Sequence, residues 1–313
     1  MNIHFDNVNI DSRTGPNSFA SRLIKSLKDL NHRIVKTYQE SDVSCIFIES
    51  HTNIPDNHPT VQRLDGIWFK PSEFISKNSR IKKNYEKSTK VIWQSNFDRD
   101  MIVHHWGIKP GEVIHNGIDL SQKVLHNEAI KNLRSQYDLI FVSSANWHPQ
   151  KRLKKNIELF EIIKSKSSKK CALIVMGGNP DHIVNDKDVY YTGSIPHNIC
   201  LEIFSAADWM IHLAWLDHCP NTVVEALSQN CPVICTNSGG TSEIVTKNGI
   251  VISESTPYNF ELADYDNPYE ISLNAFEACW IEDKIKVNNS HLDIRIIAQK
   301  YEKVFLDAIG NTN

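Results

Sequence analysis

LAWLDHCPNTVVEALSQNCPVICTNSGGTSEIV, residues 213–245, reads as strand, loop, helix, strand, loop, helix. An apolar run closes near Trp215, and a polar loop carries Asp217, His218 and Cys219. Pro220 then suits the first turn of a helix, where its missing N–H costs nothing. PVICT (232–236) has the length and composition of a buried strand, and NSGGTSEIV (237–245) returns through a glycine loop to a short helix near 241–246.

The same alternation runs outward in both directions. LIFVSS (139–144), CALIVMGG (171–178), VYYTG (189–193), WMIHLAW (209–215) and GIVI (249–252) read as strands. Helices are expected at 153–166, with Leu153, Ile157, Phe160 and Ile163 facing inward, and near 197–207 and 220–229. Nearly continuous apolar strands between helices indicate a parallel sheet covered on both faces. The first part repeats the pattern with MNIHF, RIVKTY (33–38), CIFIE (45–49), TVQRL (60–64), KVIWQS (90–95) and EVIHN (112–116) as strands. Its helices are expected near 17–30, 72–87 and 97–106. The polar stretch 119–136 has no strong strand and reads as a link. At about 150 residues per domain, 313 residues make roughly two.

The expected division is a first Rossmann-like domain at 1–120 and a linker at 121–137. A second Rossmann-like domain follows at 138–290. A helix in 291–313 ends the chain and is expected to pack back on the first domain, with Ile297, Tyr301, Val304, Phe305 and Ala308 on one stripe. Two such domains imply a cleft, and ligands of open α/β sheets bind beyond the C-terminal strand ends.

Composition narrows the function. The 34 basic and 37 acidic residues leave −3, which argues against a nucleic-acid partner. Hydrophobic content of 41% and charged content of 23% exclude a mostly disordered chain. The longest apolar runs are too short to span a bilayer, and MNIHFDN shows no secretory signal pattern. A cytoplasmic protein is expected, at most peripheral to a membrane. The 7 cysteines (Cys45, Cys171, Cys200, Cys219, Cys231, Cys235 and Cys279) include no CxxC and read as reduced thiols. The basic stretch KNSRIKKNYEK (77–87) is expected to be a solvated helix face; weak contact of 77–90 with an anionic membrane surface is the alternative.

The loops after strands carry the candidate chemistry. The helix N-terminus at Pro220–Val223 offers free N–H groups to an anion. Glu225, about one turn in, can accept two hydrogen bonds from a vicinal diol such as a ribose. Gly239 and Gly240 permit close backbone approach to a phosphate, again just before a helix. No strand is followed by GxGxxG, which argues against a dehydrogenase.

Asp217 through Glu225 resembles the E-x7-E signature of retaining GT-B glycosyltransferases of family 4, with Asp at the first position. EALSQNCPVICTNSGGTSEIV (225–245) is similar to that family's EAxAxGxPVIxxxxGGxxEIV, in which Glu243 is the Glu of EIV. VIHNGID (113–119) and TGPNSFASRLIKSL (14–27), with Gly15, resemble its linker-side and acceptor-side segments. The resemblance implies a GT-B α/β fold and a nucleotide-sugar donor held by the second domain. It further implies a sugar, glycan, lipid-linked or other hydroxyl acceptor, no cofactor and no required metal. Against the family's GRxxxxKG, Lys151 matches the Lys, Asn146 stands at the Arg and Arg152 at the last Gly, so Arg152 is expected to restore the missing charge on the donor diphosphate. The family's first-domain His has no direct counterpart. Asp65, after TVQRL, is expected to face the anomeric carbon or orient an acceptor hydroxyl, and His51 is its acceptor-side rival. Asp217, Lys151 and Asp65 are thus the expected catalytic residues. Rival readings are a nucleotide-sugar 2-epimerase on the same fold and a catalytically silent nucleotide-sugar- or glycan-binding protein.

Overall fold

The computed structural model describes all residues except 13, 123, 125, 126, 274–280, 282 and 311–313. Cys279 therefore lies outside the described residues; the other six cysteines are free thiols. The chain forms two compact units. One comprises Met1–Leu120, Asn259–Ala263 and His291–Asn313, and the other Ser121–Tyr258 and Asp264–Ser290.

The first unit holds a six-stranded sheet of β1 (Asn2–Asp6), β2 (Arg33–Val35), β3 (Val43–Phe47), β4 (Thr60–Leu64), β5 (Lys90–Trp93) and β6 (Gly111–Val113), in the order β2-β1-β3-β4-β5-β6. Every pairing is parallel. All positions of β3 and β4 are buried, as central strands covered on both faces must be. The polar side chains of Gln62 and Arg63 inside β4 are anchored through part of their hydrogen-bonding groups: Gln62 donates to the carbonyls of Ile48 (2.6 Å) and Ile81 (3.1 Å). Arg63 donates to Asn116 Oδ1 at 2.9 Å, and its guanidinium sits 4.9 Å from the ring centres of both Phe19 and Phe47. The helices are α1 (Gly15–Asp29), α2 (Phe74–Lys87) and α3 (Asn96–Trp106). Ser95 caps α3 by accepting from the Asp98 amide at 3.0 Å, while Asp98 reaches back to the Gln94 amide at 3.1 Å.

The second unit begins with α4 (Glu128–Gln136), capped by Asn127. A regular helix thus occupies part of the stretch expected to be linker. The second sheet contains β7 (Leu139–Ser144), β8 (Cys171–Met176), β9 (Val189–Gly193), β10 (Trp209–His212), β11 (Val233–Thr236) and β12 (Gly249–Ile252), all parallel, in the order β12-β11-β10-β7-β8-β9. Around it lie α5 (Leu153–Lys166), α6 (His197–Ala206), α7 (Asn221–Ser228) and α8 (Thr241–Val245). The strand expected at 209–215 stops at His212. Leu213 N–H turns to the Asn156 side chain (2.9 Å) and Trp215 N–H to the Gln150 carbonyl (2.8 Å), so these residues leave the ladder and form a loop.

The last helix, α9 (Ile294–Gly310), packs on α1 within the first unit. Ile297, Tyr301, Val304, Phe305 and Ala308 are buried there, with Tyr301 5.9 Å from Phe19. Burying Tyr301 and Phe305 is worth roughly 1.5–3 kcal/mol each. Segment 259–263, expected in the second domain, also belongs to the first unit, where Ala263 N–H bonds the Phe69 carbonyl at 3.0 Å. No helix among the described residues is long and apolar enough to cross a membrane.

Candidate functional site

The loops after β7, β8, β10 and β11 lie at the C-terminal edge of the second sheet. The β7 loop leans on the end of β8: Trp147 bonds the Gly178 carbonyl through its amide (3.1 Å) and the Met176 carbonyl through its indole (3.0 Å). Gly177 has φ +110°, and a Cβ there would lie 1.7 Å from the Ala145 carbonyl oxygen, so only glycine lets the two loops meet. Asn146 projects to solvent from this junction.

Arg152 adopts a left-handed conformation (φ 51°, ψ 48°) immediately before α5. Its guanidinium turns inward, donating to both carboxylate oxygens of Glu254 (2.6 and 3.2 Å) and to the carbonyls of Tyr269 and Leu213. The two side chains are only 3% and 5% exposed. This corrects the expectation that Arg152 supplies charge to a diphosphate: its charge is matched by Glu254, and its donors hold α5, β10 and the segment after β12 together.

Lys151, the preceding residue, forms an ion pair with Asp217 in the β10 loop. His212, at the last position of β10, approaches the same Asp217 oxygen at 3.3 Å. Burial alone would raise the Asp217 pKa, but Lys151 and the His212 hydrogen bond outweigh it and hold the carboxylate well below its usual range. Burial lowers the pKa of His212, although Asp217 opposes the shift. The Asp217 backbone is equally fixed. Its carbonyl accepts from Gly240 N–H at 2.7 Å, and it bridges Gly239 in parallel fashion. Gly239 has φ +80°, and a Cβ there would lie 2.5 Å from the Asp217 oxygen, so the glycine is what lets the β11 loop close on Asp217.

Glu225 lies on α7, buried, with Oε1 3.1 Å from His197 Nε2 at the start of α6. Glu243 is half-buried in the first turn of α8. The structure thus brings Lys151, Asp217, Gly239 and Gly240 into one connected cluster. Three partners were not anticipated: His212 beside Asp217, Glu254 on Arg152 and His197 on Glu225. Only His212 had a sequence signal, a polar residue inside an otherwise apolar run.

His218 adds a pH dependence. Burial pushes its imidazole down to about 4, opposed by Asp217 and reinforced by Lys151. An unfolded chain takes up this proton near 6.5, the folded chain only near 4. Stability therefore falls as pH drops through that window and levels off below it. The residue as a whole is half-buried, which tempers the effect. Between about pH 7 and about pH 5, His218→Gln is expected to lose roughly 1–2 kcal/mol less stability than the parent, measured by urea unfolding. Equal losses would contradict the assignment.

In the first unit, Asp65 follows β4 with its carboxylate 3.9 Å from Arg63 Nη1. Burial raises its pKa, opposed by the Arg63 charge. His51 is exposed, 2.9 Å from Arg80 Nη1 and 3.6 Å from Glu49. It lines a 630 Å³ cavity whose lining does not include Asp65. Gly15 is the exposed first residue of α1. Among the described residues no group of three or more His, Cys, Asp or Glu side chains is placed to hold a metal ion.

Residues 126–262 match the family described as Glycosyl transferases group 1, a span that includes the cluster above. Over 90 residues the chain is 32% identical to a Bacillus subtilis (strain 168) protein named as a teichuronic acid biosynthesis glycosyltransferase, TuaC. That match covers 29% of this chain and 23% of the relative. Sucrose-phosphate synthase from Thermosynechococcus elongatus superposes with a TM-score of 0.66 at 12% identity, covering 99% of both chains. The Anabaena protein Alr3699/HepE, in complex with UDP and glucose, superposes at 0.62 with 16% identity, covering 100% of this chain and 99% of that one. The fold is therefore the α/β GT-B fold of these enzymes, with one parallel six-stranded sheet in each unit.

Proposed function

We propose that the chain is a retaining, metal-independent group 1 glycosyltransferase that moves a sugar from a nucleoside-diphosphate sugar to a hydroxyl acceptor. The observation that carries the reading is the Lys151–Asp217 pair, tied to Gly239 and Gly240 inside the family-matched segment. The likeness to TuaC and to a fold crystallised with UDP and glucose supports the same class.

Each residue then has a role. Glu225 accepts from the ribose diol of the donor. The Gly239–Gly240 backbone and the start of α8 receive the diphosphate, with the exposed Asn146 as a neutral donor, and Glu243 lines this side. Asp217, an ionised carboxylate, accepts from hydroxyls of the transferred sugar. Lys151 faces the phosphate oxygen on which charge grows as the glycosidic bond breaks, and so does work that a metal ion does elsewhere. Asp65 orients the acceptor hydroxyl, with Gly15 and His51 on the acceptor side. The acceptor attacks from the face the phosphate leaves, and the phosphate takes its proton, which gives retention. Activity is expected to survive EDTA; its loss, with rescue by manganese or magnesium, would contradict this mechanism.

UDP binding tests the donor site. Glu225→Ala is expected to weaken UDP by about 1.5–3 kcal/mol, the scale of hydrogen bonds to a charged group. The variant is expected to fold, because alanine suits a helix interior. Isothermal titration decides it: unchanged affinity in a folded variant would remove Glu225 from the site.

A further inference from the structure

The 630 Å³ cavity of the first unit has no part in the donor chemistry. It is a groove between α2 and the loop 49–56 that follows β3. Ser50 N–H bonds the Asn84 side chain at 2.8 Å, which ties the loop to the helix along the groove. Four cations of α2 line it, Lys77, Arg80, Lys83 and Lys87, against two carboxylates, Glu49 and Asp56. Arg80, Lys83 and Lys87 recur at helical spacing, so the cationic stripe is a property of one helix face.

The charges are unevenly matched. Lys87 meets Asp56 at 2.6 Å, and Lys77 meets Glu73 at 2.7 Å while its ammonium lies 3.9 Å from the Trp68 ring centre. Arg80 is 3.6 Å from Glu49 and donates to His51. Lys83 makes no ion pair among the described residues. A flat solvated helix face needs no cavity beside it. Here the cations overlook a concave site with the volume of a small-ligand pocket, lined also by the hydroxyl-bearing residues Thr52, Ser76 and Ser79. Hydroxyls and a net positive lining suit a ligand that is itself rich in hydroxyls and negatively charged.

We propose that the groove between α2 and the loop 49–56 binds an anionic saccharide, whose carboxylate or phosphate is held by Lys83 and Arg80. That this saccharide is the acceptor rests on the glycosyltransferase reading; the binding itself does not.

The test is a solution-NMR titration of the full chain with three probes: tetragalacturonate, glucose 6-phosphate and neutral maltotetraose. At least one anionic probe is expected to bind about tenfold or more tightly than maltotetraose, and binding is expected to weaken as salt is raised. The arm that binds tells a carboxylate from a phosphate. Lys83→Glu and Arg80→Glu, at exposed positions, are each expected to weaken it about tenfold or more. Equal binding of maltotetraose, or unchanged affinity in both variants, would overturn the proposal. So would binding of phosphatidylglycerol vesicles with no response to either anionic sugar, since the face would then be a membrane contact. UDP titration of Lys83→Glu keeps the two readings apart. Its UDP affinity is expected to equal the parent's. A parent that binds the anionic sugar but no nucleotide would defeat the glycosyltransferase reading and leave the groove standing.

Discussion

Lys151→Ala is expected to lower turnover by about a hundredfold to a thousandfold while weakening donor binding far less. Charge grows on the departing diphosphate as the glycosidic bond breaks, so a facing cation interacts more strongly in the transition state than in the ground state. Lys151 is held for that task. Its ammonium pairs with Asp217, whose backbone is in turn locked by Gly239 and Gly240. Removing the lysine leaves the leaving group without its cation and the Asp217 carboxylate with His212 as its remaining side-chain partner among the described residues. Turnover and donor affinity, measured on a variant shown by circular dichroism to be folded, decide the matter. Near-normal turnover would mean that the leaving-group charge is met elsewhere.

Arg152→Ala, one residue on, is expected to fail for a different reason. Removing one partner of a buried pair strands the other as an uncompensated charge, which costs about 3–5 kcal/mol. Glu254, 5% exposed, is the charge left behind. A loss of this size lowers the melting temperature by roughly 10 °C. Replacing both residues with leucine is expected to recover much of it, because an apolar pair of similar volume is often neutral or better. If Arg152→Ala instead melts with the parent and loses only turnover, Arg152 belongs to the donor site after all.

The contrast between these neighbours marks where the sequence was legible and where it was not. Strands such as LIFVSS and CALIVM are apolar at nearly every position, and a run that must be buried on both faces leaves no ambiguity about a parallel sheet. The stripe on α9 was equally readable, since Tyr301, Phe305 and Ala308 recur at helical spacing. Arg152 was not readable. A basic residue beside Lys151 in a loop after a strand looks like a phosphate ligand, and the carboxylate that claims it lies 102 positions later. Nothing local links them.

His212 was hidden in another way. The run WMIHLAW, apolar on both sides of His212, suggested a strand reaching Trp215, whereas the backbone leaves the sheet at Leu213, where Asn156 and Gln150 offer other hydrogen bonds. That early exit makes His212 the strand-end residue facing Asp217. Gly239 was half legible. The Gly-Gly pair marked a loop open to close approach, but the approach seen is that of Asp217 backbone, at 2.5 Å from where a Cβ would stand.

Incubating the protein with UDP-, GDP- and ADP-sugars in the presence of EDTA shows whether it transfers a sugar from a nucleoside-diphosphate donor. Proton NMR then follows the anomeric signal and the released nucleotide. One donor is expected to be slowly hydrolysed, its free nucleoside diphosphate to appear, and the sugar to be released first with the donor's own anomeric configuration. An epimerised donor without nucleotide release, or a donor that binds and stays intact, would contradict such transfer.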